Sequence, residues 1–152
     1  MKVTKFLPAS QINIELQAKD KEEVIESLVN ILVEQGHVPK EKVEEVKAAL
    51  FEREALTSTG LGYGIALPHV KTNLVRETCI AFGRSAKGVD FDALDGNPVH
   101  LFFLILAPID KTEEYLKILS SISALLKNDK IRSQLQAARS ADEIFKIFDQ
   151  TE

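Results

Sequence analysis

The chain has 152 residues and a formal net charge of -4, with 45% hydrophobic and 28% charged residues. This balance is typical of a globular protein with a buried core, and it excludes a largely disordered chain. Because lysines and arginines are interleaved with acidic residues instead of forming one basic face, the sequence indicates neither a nucleic-acid partner nor an anionic lipid surface. The longest apolar run, LFFLILAP, is too short to span a bilayer, so we expect no insertion into a membrane.

The first part of the chain predicts two helices after a short alternating stretch, which comprises Ile12, Ile14 and Leu16. The first helix runs from Asp20 to Gly36, because Asp20 and Glu23 form a capping-box pattern and Gly36 is a typical stop. Pro39 can occupy the first turn of the second helix, which continues towards Arg53. The apolar residues of this second helix are Val43, Val46, Leu50 and Phe51.

The middle of the chain predicts three strands, from Ile65 to Leu67, from Thr78 to Ser85 and from Pro98 to Ala107. Each is short and rich in apolar or β-branched residues, and turn residues such as Gly88 and Gly96 separate them. The last strand, VHLFFLILA, shows no alternation of polar and apolar residues. We therefore expect it to be covered on both faces of a sheet.

The last part of the chain predicts three helices after Pro108. Their expected N-terminal caps are Asp110 with Glu113, then Asn128 or Asp129, and finally Ser140 with Glu143. The apolar stripe of the first of these helices comprises Leu116, Leu119, Ile122 and Leu126. Helices at both ends and strands in the middle predict a layered α/β protein, with a β-sheet flanked by helices.

The stretch GLGYGIALPHV, from Gly60 to Val70, combines three alternating glycines with a proline and a histidine. Gly60, Gly62 and Gly64 allow positive φ, and successive amides in such a turn can form a concave nest for an anion. A nucleotide-binding loop is disfavoured, because no Lys-Ser or Lys-Thr pair follows the glycines. The glycines alone are equally compatible with a turn that leads into a buried strand.

His69 directly follows Pro68, whose fixed φ stiffens the backbone at the end of the predicted strand. A histidine there can be a general base, a metal ligand or a nucleophile. Metal binding is disfavoured, because His37 and His100 show no zinc-binding spacing and Cys79 is the one cysteine. A neutral imidazole can act as a nucleophile and form a phosphoramidate. We therefore expect no metal and no cofactor.

Other features have simpler interpretations. Arg53 lies at the end of the helix that leads into the glycine-rich loop, where it can stabilise phosphoryl oxygens or simply cap the helix C-terminus. His37 is predicted to be an exposed residue of an interhelix turn, and Cys79 a small core residue. The sequence shows no signal peptide, repeat or long linker. We expect one domain over residues 1–152, located in the cytoplasm.

The stretch FEREALTSTGLGYGIALPHVK, Phe51 to Lys71, resembles the signature of phosphotransferase-system IIA proteins of the fructose, mannitol and nitrogen-regulatory class. The matching elements are Arg-Glu, then Ser-Thr-Gly, then a Pro-His pair preceded by alternating hydrophobic residues. The resemblance continues through GVDFDALDGNPVHLFFLILAP and LQAARSADEIFKIF, and so covers nearly the whole chain. It implies the mixed sheet of a type-2 IIA domain.

The resemblance implies that His69 is phosphorylated, usually on Nε2, by a histidine-containing phosphocarrier protein. Arg53 would stabilise the phosphoryl group. The residues expected to form the phosphate loop and the docking surface are Ser58, Thr59, Gly60, Gly62, Gly64, Val70 and Tyr115. We expect the apolar rim of this surface to comprise Leu61, Tyr63, Leu67 and Val70, with inward packing of Tyr63 as an equal alternative.

Two positions depart from the pattern of the family. Val70 stands where members usually have glycine, alanine or cysteine after the histidine, and its β-branched side chain stiffens the backbone. Tyr115 matches the position of a second histidine in many members, and a tyrosine cannot accept a proton near neutrality. Both changes predict altered phosphoryl transfer.

The chain is most similar to the nitrogen-regulatory IIA proteins, which act as phosphorylation-dependent regulators of other proteins. Two alternatives are a sugar-transport IIA component, which passes phosphate to a IIB domain, and a regulatory binding module that is not phosphorylated. The sequence does not separate a carrier from a regulator.

Overall fold

The computed structural model of the chain describes residues 2–151 and has a six-stranded mixed β-sheet at its centre. Its strands are β1 (Ile12–Asn13), β2 (Gly60–Gly62), β3 (Ile65–Ala66), β4 (His69–Lys71), β5 (Cys79–Val89) and β6 (Val99–Ala107). Its helices are α1 (Lys21–Glu34), α2 (Val43–Leu56), α3 (Thr112–Leu126), α4 (Asp129–Ala137) and α5 (Ala141–Thr151). A mixed sheet flanked by helices confirms the predicted fold class.

Strand β6 organises the sheet because it pairs along both of its edges. On one edge it is antiparallel to β5, and on the other it runs parallel first to β3 and then to β4. The register places Ile65 opposite Leu101 and His69 opposite Ile105. The two short strands β3 and β4 therefore occupy successive lengths of the same edge.

The two faces of β6 enter different hydrophobic cores, because successive side chains of a strand point in opposite directions. The first core contains residues of α3, α4 and α5 together with Leu101, Phe103 and Ile105. The second contains residues of α1 and α2 together with Phe102, Leu104 and Leu106. The apolar run that follows His100 in β6 predicted this coverage on both faces, and the structure confirms it.

Four of the predicted helix ends are confirmed by the structure. The Asp20 side chain accepts a hydrogen bond from the Glu23 amide at 2.9 Å, and Gly36 follows α1 with a φ of 82°. Asn128 caps α4. The Ser140 hydroxyl oxygen accepts a hydrogen bond from the Glu143 amide at 3.1 Å at the start of α5.

The predicted cap of α3 is wrong. The helix begins after Lys111, and no side chain caps its N-terminus. The Lys111 amide instead donates to the carbonyl oxygen of Pro108 at 3.0 Å, so Asp110 lies inside a turn. The chain turns before the helix begins. Because the spacing of Asp110 and Glu113 also fits a capping box, the sequence does not distinguish this turn from the start of a helix.

The strand predictions are right in the middle of the sheet and incomplete at its edge. Strands β2 and β4 were not predicted, since each has three residues and such a length is too short for a hydrophobic pattern. Strand β5 continues past Ser85 to Val89, with a shift in register on the way. No helix within residues 2–151 is long and apolar enough to span a bilayer.

Candidate functional site

His69 is the first residue of β4, and its side chain is half-buried. The Nδ1 atom of its ring is hydrogen bonded to the main-chain carbonyl oxygen of Leu67, two residues earlier. Because a carbonyl oxygen can only accept a hydrogen bond, Nδ1 carries the proton. The lone pair of the neutral ring is therefore on Nε2, which is the atom available to an electrophile.

The surroundings of His69 favour the neutral form of its ring. Burial is the main cause, and it lowers the pKa of His69 below 6.5. The guanidinium of Arg53 also lowers this pKa, whereas the hydrogen bond to Leu67 and the carboxylate of Glu54 raise it. Because the net direction is downward, the imidazole is uncharged at neutral pH and keeps the lone pair of a nucleophile.

Arg53 lies in the last turn of α2 and combines the two roles considered from the sequence. One of its terminal nitrogens donates a hydrogen bond to the carbonyl oxygen of Thr57 at 3.3 Å, just beyond the helix end. Its positive charge also acts on the rings of His69 and Tyr115. The same guanidinium is therefore both a C-terminal cap and a cation beside the imidazole.

Tyr115 of α3 is the third member of this group. The centroid of its ring lies 5.8 Å from that of His69, and the two ring planes are inclined by 50°. Burial raises the pKa of Tyr115 to about 12, although Arg53 opposes the shift. The phenol is therefore protonated at physiological pH and can donate a hydrogen bond. The fold thus brings together Arg53, His69 and Tyr115 from α2, β4 and α3.

Glu54 is a buried carboxylate that the sequence reasoning did not select. It accepts hydrogen bonds from the Thr59 amide at 2.9 Å and from the Thr59 hydroxyl at 2.6 Å. The ammonium group of Lys21 lies 3.0 Å from the same carboxylate. The Arg-Glu pair in the stretch from Phe51 to Lys71 was the sequence feature that could have identified Glu54. Glu54 ties the end of α2 to the beginning of β2.

Ser58, Thr59 and Gly60 fix the course of the chain in front of β3. The Ser58 hydroxyl donates to the carbonyl oxygen of Phe91 at 2.6 Å, and its oxygen accepts from the Gly60 amide at 3.0 Å. The expectation that Gly60 adopts a positive φ is wrong. A Cβ atom at Gly60 would lie 2.9 Å from the Cα atom of Ala93, so close packing requires glycine there.

Gly62 and Gly64 do have positive φ angles, of 94° and 76°. Between them, the Tyr63 amide donates to the carboxylate of Asp95 at 3.3 Å, so this turn holds an acidic side chain of its own chain. Because Ile65 and His69 pair with residues of β6 that are four positions apart, the turn lies roughly 13 Å along the sheet from His69. The fold does not bring these two glycines beside the imidazole.

The apolar surface near His69 differs from the predicted rim. Leu67 is buried in the first core, which makes its prediction as a rim residue wrong. Val70 is half-buried against the second core. Leu116, expected in the core, is 57% exposed, and Ile109, two residues after β6, is also 57% exposed. Leu116 follows Tyr115 in α3, and Ile109 precedes that helix by three residues. The sequence reasoning missed both as surface residues.

The predictions for Cys79 and His37 differ in outcome, because the first is confirmed and the second is wrong. Cys79 is buried in the second core as predicted, and burial raises the pKa of its thiol to about 12. His37 is half-buried and hydrogen bonded to the side chain of Gln11, so its prediction as an exposed loop residue is wrong. Within the described part of the chain, no group of three or more His, Cys, Asp or Glu residues could hold a metal ion.

Comparison with known protein families gives one match that covers nearly the whole chain. Residues 5–151 match the family described as phosphoenolpyruvate-dependent sugar phosphotransferase system, EIIA 2. The fructose-specific EIIABC component of the phosphotransferase system of Bacillus subtilis is 42% identical over 150 residues. The match covers 99% of this chain but 23% of that protein, so the chain spans about a quarter of the length of this relative.

Two solved structures are similar over nearly their whole length. The nitrogen regulatory protein IIA-Ntr from Neisseria meningitidis superposes with a TM-score of 0.87 and 34% identity, over 96% of this chain and 98% of that one. Enzyme IIAMTL from Escherichia coli, in its complex with phosphorylated enzyme IIBMTL, superposes with a TM-score of 0.78 and 28% identity, over 93% of this chain and 96% of that one.

Proposed function

The chain belongs to the EIIA 2 family of the phosphoenolpyruvate-dependent sugar phosphotransferase system, and we propose that it accepts a phosphoryl group on Nε2 of His69. The donor is the phosphohistidine of a histidine-containing phosphocarrier protein. The observation that carries the proposal is the hydrogen bond from Nδ1 to Leu67, which leaves the Nε2 lone pair available. The lowered pKa of His69 supports the same conclusion, because it keeps the nucleophile neutral.

In the proposed step, the Nε2 lone pair of His69 forms a bond to phosphorus while the nitrogen–phosphorus bond of the donor breaks. The electron pair of the breaking bond returns to the donor imidazole. The positive charge that develops on the His69 ring is stabilised at Nδ1–H, which donates to the Leu67 carbonyl oxygen. No water, metal or further cofactor enters this balance.

Arg53 and Tyr115 have distinct roles in this proposal. The guanidinium of Arg53 stabilises the negative charge of the phosphoryl oxygens during transfer, because its charge acts at the imidazole. The Tyr115 ring contacts the imidazole and its protonated phenol is a hydrogen-bond donor. Thr59 and Glu54 act indirectly, by fixing the loop that follows Arg53.

We propose that the phosphorylation state is a regulatory output of the nitrogen-regulatory type. The likeness to IIA-Ntr supports this assignment. A phosphoryl group adds up to about two negative charges at the surface. Because Ile109 and Leu116 expose apolar area beside the first turns of α3, the added charge would alter the docking of a partner there. We place this exchange in the cytoplasm and assign it to one IIA domain.

A second candidate function is that of a sugar-transport carrier, which passes the phosphoryl group to a IIB domain. The 42% identity to a fructose-specific EIIABC component favours it. So does the likeness to enzyme IIAMTL, whose structure is known in complex with phosphorylated enzyme IIBMTL. The two functions share the chemistry at His69 and differ in the acceptor.

The test is incubation of the purified chain with a phosphorylated phosphocarrier, followed by intact-mass spectrometry. We expect the addition of one phosphoryl group that is labile in acid and stable in alkali, and that is absent from His69→Ala. Labelling of His69→Ala, or no labelling of the parent chain, would contradict the proposal. Addition of a panel of IIB domains then separates the candidates: rapid onward transfer to one of them indicates a carrier.

A further inference from the structure

A polar cleft lies on the other side of β6 from His69, and the proposed phosphoryl transfer does not use it. Its volume is about 360 Å³. Its walls come from distant parts of the sequence. The polar and basic residues that line it are Lys5, Gln11, His37, Arg76, Thr78 and Lys111. Thr78 directly precedes β5, whereas His69 begins β4, and these strands pair with opposite edges of β6. We refer to this feature as the basic cleft.

Three side chains with permanent positive charge, Lys5, Arg76 and Lys111, line the basic cleft. Within residues 2–151, none of the three forms an ion pair with a carboxylate. This arrangement is unusual for a chain of net charge -4, because acidic residues outnumber basic ones and could have been placed as partners. Three cations around one concavity attract an anion, since a concave low-dielectric wall focuses their field.

The side chains of Gln11 and His37, which line the cleft, are held in a fixed orientation by hydrogen bonds. The amide nitrogen of Gln11 donates to the carbonyl oxygens of Phe6 and Ile80, at 3.2 Å and 2.8 Å, so its Oε1 atom must be the acceptor towards His37. The Nε2 atom of His37 therefore donates to Gln11, at 2.8 Å. Gln11 and His37 therefore hold each other in one orientation where they line the cleft.

Thr78 gives an independent indication that the cleft has a ligand. The residue is 5% exposed and lines the cleft. Its hydroxyl is the one buried side-chain polar atom without a hydrogen-bond partner in the described part of the chain. Burial of a hydroxyl without a hydrogen-bond partner destabilises the fold. Because nearly all buried polar groups are hydrogen bonded, we take the Thr78 hydroxyl as a group that a ligand in the cleft can pair with.

Two carboxylates, Glu77 and Glu114, also line the cleft, and they restrict the kind of anion that fits. An extended polyanion such as a nucleic acid would meet both of them, and like charges repel. Because carboxylates and cations line the same cleft, we expect it to prefer a compact anion to an extended one. The volume of about 360 Å³ falls at the lower end of the range for small-molecule sites.

We propose that the basic cleft binds a small multivalent anion, which carries at least two carboxylate or phosphate groups, through Lys5, Arg76 and Lys111. The ligand class is a compact polycarboxylate or phosphate ester. This site goes beyond the proposed phosphoryl transfer and does not depend on it, because His69 is not among its residues.

The experiment is an NMR titration of the isotope-labelled chain with two probes, pyrophosphate and citrate, at constant ionic strength. Acetate serves as the monovalent control. Use of His69→Ala as the parent chain separates this test from the proposed transfer. We expect saturable shifts of the Gln11 side-chain amide with at least one probe, which distinguishes phosphate from carboxylate ligands, and much weaker shifts with acetate.

The variants Arg76→Gln and Lys111→Gln should each raise the dissociation constant at least about threefold, since each removes one cation. Lys87→Gln is the matched control, because Lys87 is exposed on β5 and lies outside the cleft. Absence of saturable shifts with both probes would overturn the proposal, as would an equal effect of Lys87→Gln. Thermal unfolding of each variant verifies that the fold is intact.

Discussion

The carboxylate of Glu54 accepts two hydrogen bonds from Thr59, one from the amide at 2.9 Å and one from the hydroxyl at 2.6 Å. Glu54 is buried and directly follows Arg53 in α2, and Thr59 directly precedes β2. The contact therefore fixes the exit of the chain from the helix that carries the guanidinium. The geometry of Arg53 at His69 depends on a residue pair that does not itself touch the imidazole.

Thr59→Val should lower the free energy of unfolding by about 1–3 kcal/mol, because it removes a hydrogen bond from a buried carboxylate while keeping the shape of the side chain. Urea denaturation measures this change. Thr57→Val is the control, since Thr57 is exposed at the C-terminus of α2, and we expect it to change the free energy by less than about 0.5 kcal/mol. Equal effects of the two variants would show that Glu54 does not depend on the hydroxyl.

Arg53→Gln should raise the pKa of His69, because it removes a positive charge that lowers this pKa. It should also slow phosphoryl transfer by about tenfold or more, because a charged donor to the phosphoryl oxygens is lost. NMR titration of the His69 ring and rapid-quench labelling give the two values. Arg139→Gln, at an exposed position, is the control. An unchanged pKa with an unchanged rate would restrict Arg53 to its helix-capping role.

The stability of the fold should depend on the protonation of His69. The folded-state pKa of His69 lies below 6.5, its ordinary value, so the unfolded chain binds more protons between these two values. Stability therefore rises with pH in the window below 6.5 and falls on acidification. Urea denaturation from about pH 5 to pH 8 should show a smaller loss on acidification for His69→Gln than for the parent chain. A parallel pH dependence of the two proteins would contradict the expectation.

Tyr115 should contribute to the fold through its ring and to transfer through its hydroxyl. The residue is 7% exposed in the first core. Tyr115→Phe should keep the free energy of unfolding within about 1 kcal/mol, whereas Tyr115→Ala should cost about 3–5 kcal/mol because it leaves a cavity. Loss of the phenolic donor in Tyr115→Phe should slow labelling of His69 about fivefold. A rate equal to that of the parent chain would leave Tyr115 with a packing role only.

Gly60 and Gly96 allow two causes of glycine selection to be separated. Gly96→Ala places a side chain in open space at a φ of 74°, so it should cost about 1–2 kcal/mol in strain alone. Gly60→Ala has no positive φ but places a Cβ atom 2.9 Å from Ala93, and we expect a cost of about 3 kcal/mol from forced backbone movement. If Gly60→Ala proved the milder variant in urea denaturation, close packing would not explain the glycine.

The sequence best predicted those structural features that depend on a single short stretch of residues. The apolar run of β6 predicted burial on both faces, and Asn128 and Ser140 marked their helices correctly. The contacts around Tyr63 could not be predicted, because Asp95 lies 32 residues away and only the folded sheet brings it to the amide. Leu116 fits a helical stripe in sequence, but its side chain is 57% exposed among the described residues 2–151.

The partner of the His69 ring is an oxygen of the main chain, and this has a consequence for how the site can change over time. Any amino acid at position 67 supplies the same carbonyl group, so the tautomer of the imidazole does not depend on a neighbouring side chain. Substitutions at exposed positions such as 109 and 116 can alter what docks on the surface without reorienting the ring. Recognition and reactivity can therefore diverge separately in descendants of one ancestral domain, and a designer could redirect the first without redesigning the second.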